Sequence, residues 1–142
     1  MGVGPLGYKN TCISPDLALF VGSFDTNNTG VPDGIRGKFV VSRSGTGVYK
    51  VEMNKDATCP AGTFDRFESI VILPESGGVT DPNLYVYRVT ARDATLVQPT
   101  FTITQYLRTY GAGVIDTYAA GDSTDIKINF FAALHKTDPL AA

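Results

Sequence analysis

The segment Thr100-Phe-Thr-Ile-Thr-Gln-Tyr-Leu-Arg-Thr-Tyr110 constrains the fold more than any other part of this chain. Phe101, Ile103 and Leu107 fall on one side around Gln105, and Thr100, Thr102, Thr104, Tyr106 and Arg108 fall on the other. That is the period of a strand with one face in a core, whereas a helix would scatter the threonines around its surface. A strand needs partners for its backbone groups and cover for its apolar face, so the rest of the chain must supply more strands.

It does so from Lys38 onward. Lys38-Phe-Val-Val-Ser-Arg43 and Val48-Tyr-Lys-Val-Glu-Met53 flank Ser44-Gly-Thr-Gly47 and read as a hairpin, with Tyr49, Val51 and Met53 sharing one face. Arg66-Phe-Glu-Ser-Ile-Val-Ile-Leu73 begins as an alternating strand and ends as an apolar run. Leu84 to Arg92 puts Tyr85, Tyr87, Val89 and Ala91 on one side; Val114 to Tyr118 is a shorter strand; Asp125 to Leu134 aligns Ile126, Ile128, Phe130 and Ala132. Asn54 to Thr63, Pro74 to Pro82 and Ala119 to Thr124 read as loops or turns from their Asn, Asp, Pro and Gly content. Asp16 to Val21 fits a capped helical turn or a buried strand, and strand is preferred. Seven or eight strands without intervening helices point to a β-sandwich or a closed antiparallel barrel.

Composition agrees with that reading. The 142 residues include 15 Gly and 8 Pro, and the acidic residues are eleven Asp against three Glu, a bias toward turns and caps over helix interiors. A chain of this length buries about two thirds of its unfolded surface, enough for one core. We expect a single domain: residues 1–35 as an N-terminal arm and first strand, residues 36–137 as the sandwich core, and residues 138–142 as a tail. No apolar run is long enough for a membrane helix. With 12 Lys and Arg, 14 Asp and Glu, a net charge of −2 and no basic cluster, nucleic acid is not an expected partner. The start, Met1 to Tyr8, lacks the basic and apolar regions of a secretory signal, so export by that route is not expected.

Groups that could carry chemistry are few. His135 is the single histidine, and it reads as a surface or interface imidazole more readily than as the base of a nucleophile at Cys12 or Cys59. The two cysteines fit one disulfide or two buried thiols, and thiols are preferred without a mark of an oxidising compartment. No ligand pair has zinc spacing. Two carboxylates gathered from separate loops would suit a glycoside hydrolase, but the residues name no such pair. Asp25-Thr-Asn-Asn-Thr-Gly-Val-Pro-Asp33 offers Asp25, Asn27, Thr29 and Asp33 at calcium-loop spacing, but Arg36 stands where a bidentate Glu belongs, and a loop that caps its own backbone is the simpler reading. Asn27 to Thr29 also has the form of a glycosylation acceptor. The tyrosines and phenylalanines, Tyr85, Tyr87, Tyr106, Tyr110, Phe130 and Phe131, supply rings to both faces of the sheet, as a partner surface or as a sandwich rim. No catalytic residue, metal or cofactor is expected.

Three stretches carry a resemblance. Arg36-Gly-Lys-Phe-Val-Val-Ser-Arg-Ser-Gly-Thr-Gly-Val-Tyr-Lys-Val-Glu-Met53, the strand around Phe67-Glu-Ser-Ile-Val71, and Asp125-Ile-Lys-Ile-Asn-Phe-Phe-Ala-Ala-Leu-His135 are together similar to the cement or decoration proteins of tailed-bacteriophage heads. The resemblance implies an all-β, antiparallel sandwich of jelly-roll type. It implies a non-enzymatic virion protein, assembled in the host cytoplasm, that sits on the outer surface of the capsid and bridges major capsid protein subunits. A homo-oligomer, dimer or trimer, would suit the local axes of a shell. Gly-rich Met1 to Lys9 is a candidate arm for adding a strand to a neighbour's sheet edge. The alternative is a sandwich module that binds carbohydrate or calcium, such as a tail- or fibre-associated domain.

Overall fold

A computed structural model of the chain describes residues 16–27, 31–54, 58, 62–78, 81–111, 113 and 115–137. They form nine strands: β1 (Leu17–Asp25), β2 (Asp33–Arg36), β3 (Phe39–Gly45), β4 (Val48–Met53), β5 (Phe64–Ser76), β6 (Tyr85–Asp93), β7 (Thr100–Thr109), β8 (Thr117–Ala120) and β9 (Ile126–Lys136). One 3-10 turn, Pro82–Leu84, precedes β6, capped by the Asp81 side chain. The strands pair antiparallel in two sheets. Sheet A has the order β2-β1-β9-β5, and sheet B has the order β3-β4-β7-β6, with β8 also against β7.

The alternation seen in the sequence builds the core. Ile126, Ile128, Phe130, Ala132 and Leu134 of β9 meet Tyr49, Val51, Met53, Phe101 and Ile103 of sheet B, and all ten are nearly or wholly buried. Phe130 lies at the centre, 5.9 Å from Phe20 in a stacked pair and 5.1 Å and 5.3 Å from Phe39 and Phe101 in edge-to-face pairs. Each such aromatic contact adds about 0.5–1.5 kcal/mol beyond the area it buries. The layer closes this tightly because β1 carries Gly22, where a Cβ would come within 2.7 Å of both the Phe130 and Phe39 rings.

β7 organises sheet B. One of its edges is taken by β6; the other is shared, with β4 opposite Thr100 to Thr104 and β8 opposite Tyr106 to Thr109. At the junction the Gln105 amide donates to Gly47 O at 2.7 Å, and the Gly121 amide donates to Gln105 O at 3.1 Å. Gly47 is required twice over: its φ is 68°, and a Cβ would lie 2.6 Å from Gln105 O.

Several boundaries differ from the sequence expectation. The count is nine strands among the described residues, because Asp33–Arg36 adds a short strand of exposed residues beside β1. β1 is a strand, and it is internal to sheet A with Ala18, Phe20 and Phe24 in the core, so the sandwich begins at Leu17 and not at Arg36. β5 runs on through Pro74 to Ser76. Among the described residues it pairs only with β9, and an edge strand tolerates a proline whose missing N–H faces away from the ladder. The strand expected from Val114 to Tyr118 is Thr117–Ala120. A bulge between Val89 and Ala91 resets the alternation of β6, so Ala91 is exposed while Tyr85, Tyr87 and Val89 pack against the core. Leu107 keeps its inward register but is 39% exposed, where β7 runs out beyond Gln105 with only the short β8 beside it. The proposed arm, Met1 to Lys9, and the tail, 138–142, lie outside the described residues.

Candidate functional site: the outer face of sheet A

Three strands of sheet A are apolar on both faces. Leu17-Ala-Leu-Phe-Val21, Ile70-Val-Ile-Leu73 and Phe130-Phe-Ala-Ala-Leu134 have the near-continuous apolar character of strands covered on both sides. Sheet B covers only one side. On the other, Val21 of β1, Phe131 of β9 and Val71 of β5 stand in one row across the sheet, each the register partner of the next. Val21 is 66% exposed, Val71 is 41% exposed, and Leu73, next on the same face of β5, is 60% exposed. Leu19 and Phe131 are half-buried, and Ala133 completes the row beside Leu19.

Charge is confined to the two ends of this stripe and is largely matched within the chain. At one end Lys127 Nζ lies 3.0 Å from Glu75 and Arg36 lies 3.5 Å from Asp25. Donation from Lys127 is the main reason the Glu75 carboxyl is held below its usual range. At the other end His135 Nδ1 is 3.0 Å from Asp65, and Arg66 Nε is 2.7 Å from Glu68. An apolar centre inside a polar rim is the anatomy of a protein-binding patch.

A polar junction ties this sheet to sheet B through the segment between β8 and β9. Asp122 accepts from Arg43 Nε at 3.1 Å, from Arg43 Nη2 at 2.6 Å and from the Gly47 amide at 2.7 Å. Those donors, Arg43 first, hold its carboxyl below the usual range. Gln105, wholly buried, donates to Gly121 O and accepts from the Tyr87 and Ser123 hydroxyls, and Ser123 is 2.9 Å from Thr26 Oγ1, which accepts from the Ile126 amide. Burial raises the Tyr87 phenol and pushes that of Tyr49 up to about 12. The Tyr49 hydroxyl is buried with no hydrogen-bond partner among the described residues.

The residues singled out from sequence fall as follows. Asp25 and Asp33 are register partners at the end of the β1–β2 pair, and the Asp25 carboxylate already faces the Arg36 guanidinium at 3.5 Å. The residue at the twelfth position of the would-be calcium loop is thus an internal cation for the first. Asn27 is half-buried after β1, and Thr29 lies outside the described residues. Among the described residues no group of three or more His, Cys, Asp or Glu is placed to hold a metal ion. His135 sits on the outer face of sheet A at the end of the last strand, paired with Asp65. Cys12 and Cys59 lie outside the described residues. Of the aromatic residues, Phe130 is core, Tyr85 and Tyr87 are half-buried and turned inward, and Phe131, Tyr106 and Tyr110 lie outside the core.

Sequence reasoning did not single out Val21, Val71 and Leu73. Their signal was present in the loss of alternation at Ile70 to Leu73, but an apolar run does not tell which of its faces a second layer will cover.

No family model, curated protein or solved structure matches the chain.

Proposed function

We propose that this protein is a structural virion protein that binds the outside of a bacteriophage capsid and bridges major capsid protein subunits, stabilising the head. The observation that carries the proposal is the outer face of sheet A, where Val21, Val71 and Leu73 are exposed between self-paired charges. A protein that binds by area needs an apolar centre whose desolvation is favourable, and a rim whose charges do not have to be stripped of water unpaired. This face has both.

The nesting of the strands adds support. The first described strand, β1, lies beside the last, β9, while β4 lies beside β7, and the chain passes between sheets after β2, β4, β5 and β8. We read this as a sandwich of jelly-roll type, built on interleaved Greek keys. Such a body suits a subunit on the outer surface of the virion, assembled in the host cytoplasm as a dimer or trimer around a local axis of the shell. The resemblance read from the sequence between Arg36 and His135 and phage head-decoration proteins is in keeping with this reading. No reaction is assigned to it.

The test is to mix the purified protein with expanded, undecorated capsids. The proposal expects the protein to sediment with them and to raise the temperature at which they come apart. Capsids that neither retain the protein nor gain heat resistance overturn it.

A further inference from the structure

The outer face of sheet B carries a surface of different chemistry. Val86 and Arg88 of β6, Tyr106 of β7 and Tyr118 of β8 line a depression of about 300 Å³. The register explains why it is there. Tyr106 stands between its partners Val86 and Ala120, and the small side chain of Ala120 leaves room beside the ring. Tyr118 and Arg88 lie on the same face, two residues along from Ala120 and Val86 respectively, and close the depression. Tyr118 is 52% exposed.

Charge is unbalanced here. On sheet B, Arg43 pairs with Asp122, Lys50 with Glu52, and Arg108 with Asp116 while lying 4.4 Å over the Tyr110 ring. Arg88, like Arg92 further along β6, has no ion pair among the described residues, and it faces Thr104 across the sheet. A guanidinium without a carboxylate, beside two phenol rings, on a chain of net charge −2, is a local complement to an anion.

We infer that this depression binds an acidic saccharide, a short unit containing a uronic acid. The apolar face of the sugar ring stacks on Tyr118 and Tyr106, the Arg88 guanidinium takes the carboxylate, and the phenol hydroxyls take ring hydroxyls. The volume lies at the lower end of the range of small-ligand sites, about 300–1,000 Å³. An acidic peptide is the poorer fit. Both edges of β7 are already paired, so the floor of the depression offers an extended peptide no main-chain groups, whereas a saccharide needs only side chains.

Titration calorimetry of the full chain tests this on the isolated protein, independently of any capsid. The probes are trigalacturonate, its methyl ester and a hexaglutamate peptide. Trigalacturonate is expected to bind, with the ester and the peptide each weaker by about tenfold or more, the factor a charge-assisted hydrogen bond carries. Arg88→Gln and Tyr118→Ala, both at exposed positions, are expected to lose a similar factor with an unchanged melting temperature, while Lys50→Gln, outside the depression, changes nothing. Absence of binding to trigalacturonate overturns the inference. So does equal affinity for the ester or for hexaglutamate, or an affinity for trigalacturonate that Arg88→Gln leaves unchanged.

Discussion

Asp122 holds three donors from the single β3–β4 hairpin of sheet B, two from Arg43 of β3 and one from Gly47 of its turn, and its carboxyl is held below the usual range for that reason. Replacing it with Asn keeps the shape and removes the charge, which costs about 1.5–3 kcal/mol for hydrogen bonds of this kind. A group whose folded pKa is depressed stabilises the fold above its unfolded value and loses that contribution as pH falls through the folded one. Urea denaturation at pH 7 should therefore show Asp122→Asn less stable than wild type, and the gap should close below about pH 4. The two buried phenols make a second test. Tyr49 has an unpartnered hydroxyl, so Tyr49→Phe should be neutral or stabilising by up to about 1 kcal/mol. Tyr87 donates to Gln105, so Tyr87→Phe should cost about 1 kcal/mol, read from the urea midpoint at constant slope. Gln105 shows what was legible at this scale. Its inward position followed from alternation alone, but its partners come from Tyr87, Gly121 and Ser123, and sequence spacing does not announce pairs brought together by topology.

At the scale of elements, the long alternating strands were readable and the short ones were not. The faces of β4, β7 and β9 followed from period two, because each has a core face that its neighbours cannot replace. β2 and β8 carry four exposed residues each, with no apolar face to mark them, and they exist because a neighbouring strand offers an open edge. The β3–β4 hairpin was legible from Gly45 and Gly47, but the second duty of Gly47 was not. Gly47→Ala meets both a positive φ and backbone oxygens at 2.6 Å and 2.7 Å, and it should cost about 2 kcal/mol or more. Gly113 has nearly the same φ, 72°, with nothing near its would-be Cβ, so Gly113→Ala carries the conformational cost alone and should be milder. Thermal melts of the two variants side by side check the difference. An equal shift would mean that the junction at Gln105 does not bear on stability.

For the whole molecule, the sandwich has two unlike outsides. Sheet A turns an apolar stripe outward between self-paired charges, and sheet B presents tyrosines, threonines and an Arg88 without an ion pair among the described residues. The sequence registered the first only as an apolar run at Ile70 to Leu73, since an exposed apolar face and a covered one use the same residues. Substitutions there separate folding from docking. Val21→Lys with Leu73→Lys should change stability by no more than about 0.5 kcal/mol each, as exposed positions do, while abolishing retention on capsids in a sedimentation assay. The most direct test is an image reconstruction of the decorated head. The expected result is density for this protein on the outside of the shell, with the β1, β9 and β5 face against major capsid subunits and Val21, Val71 and Leu73 at the contact. A particle without that density, or one in which the same face points to solvent, contradicts it.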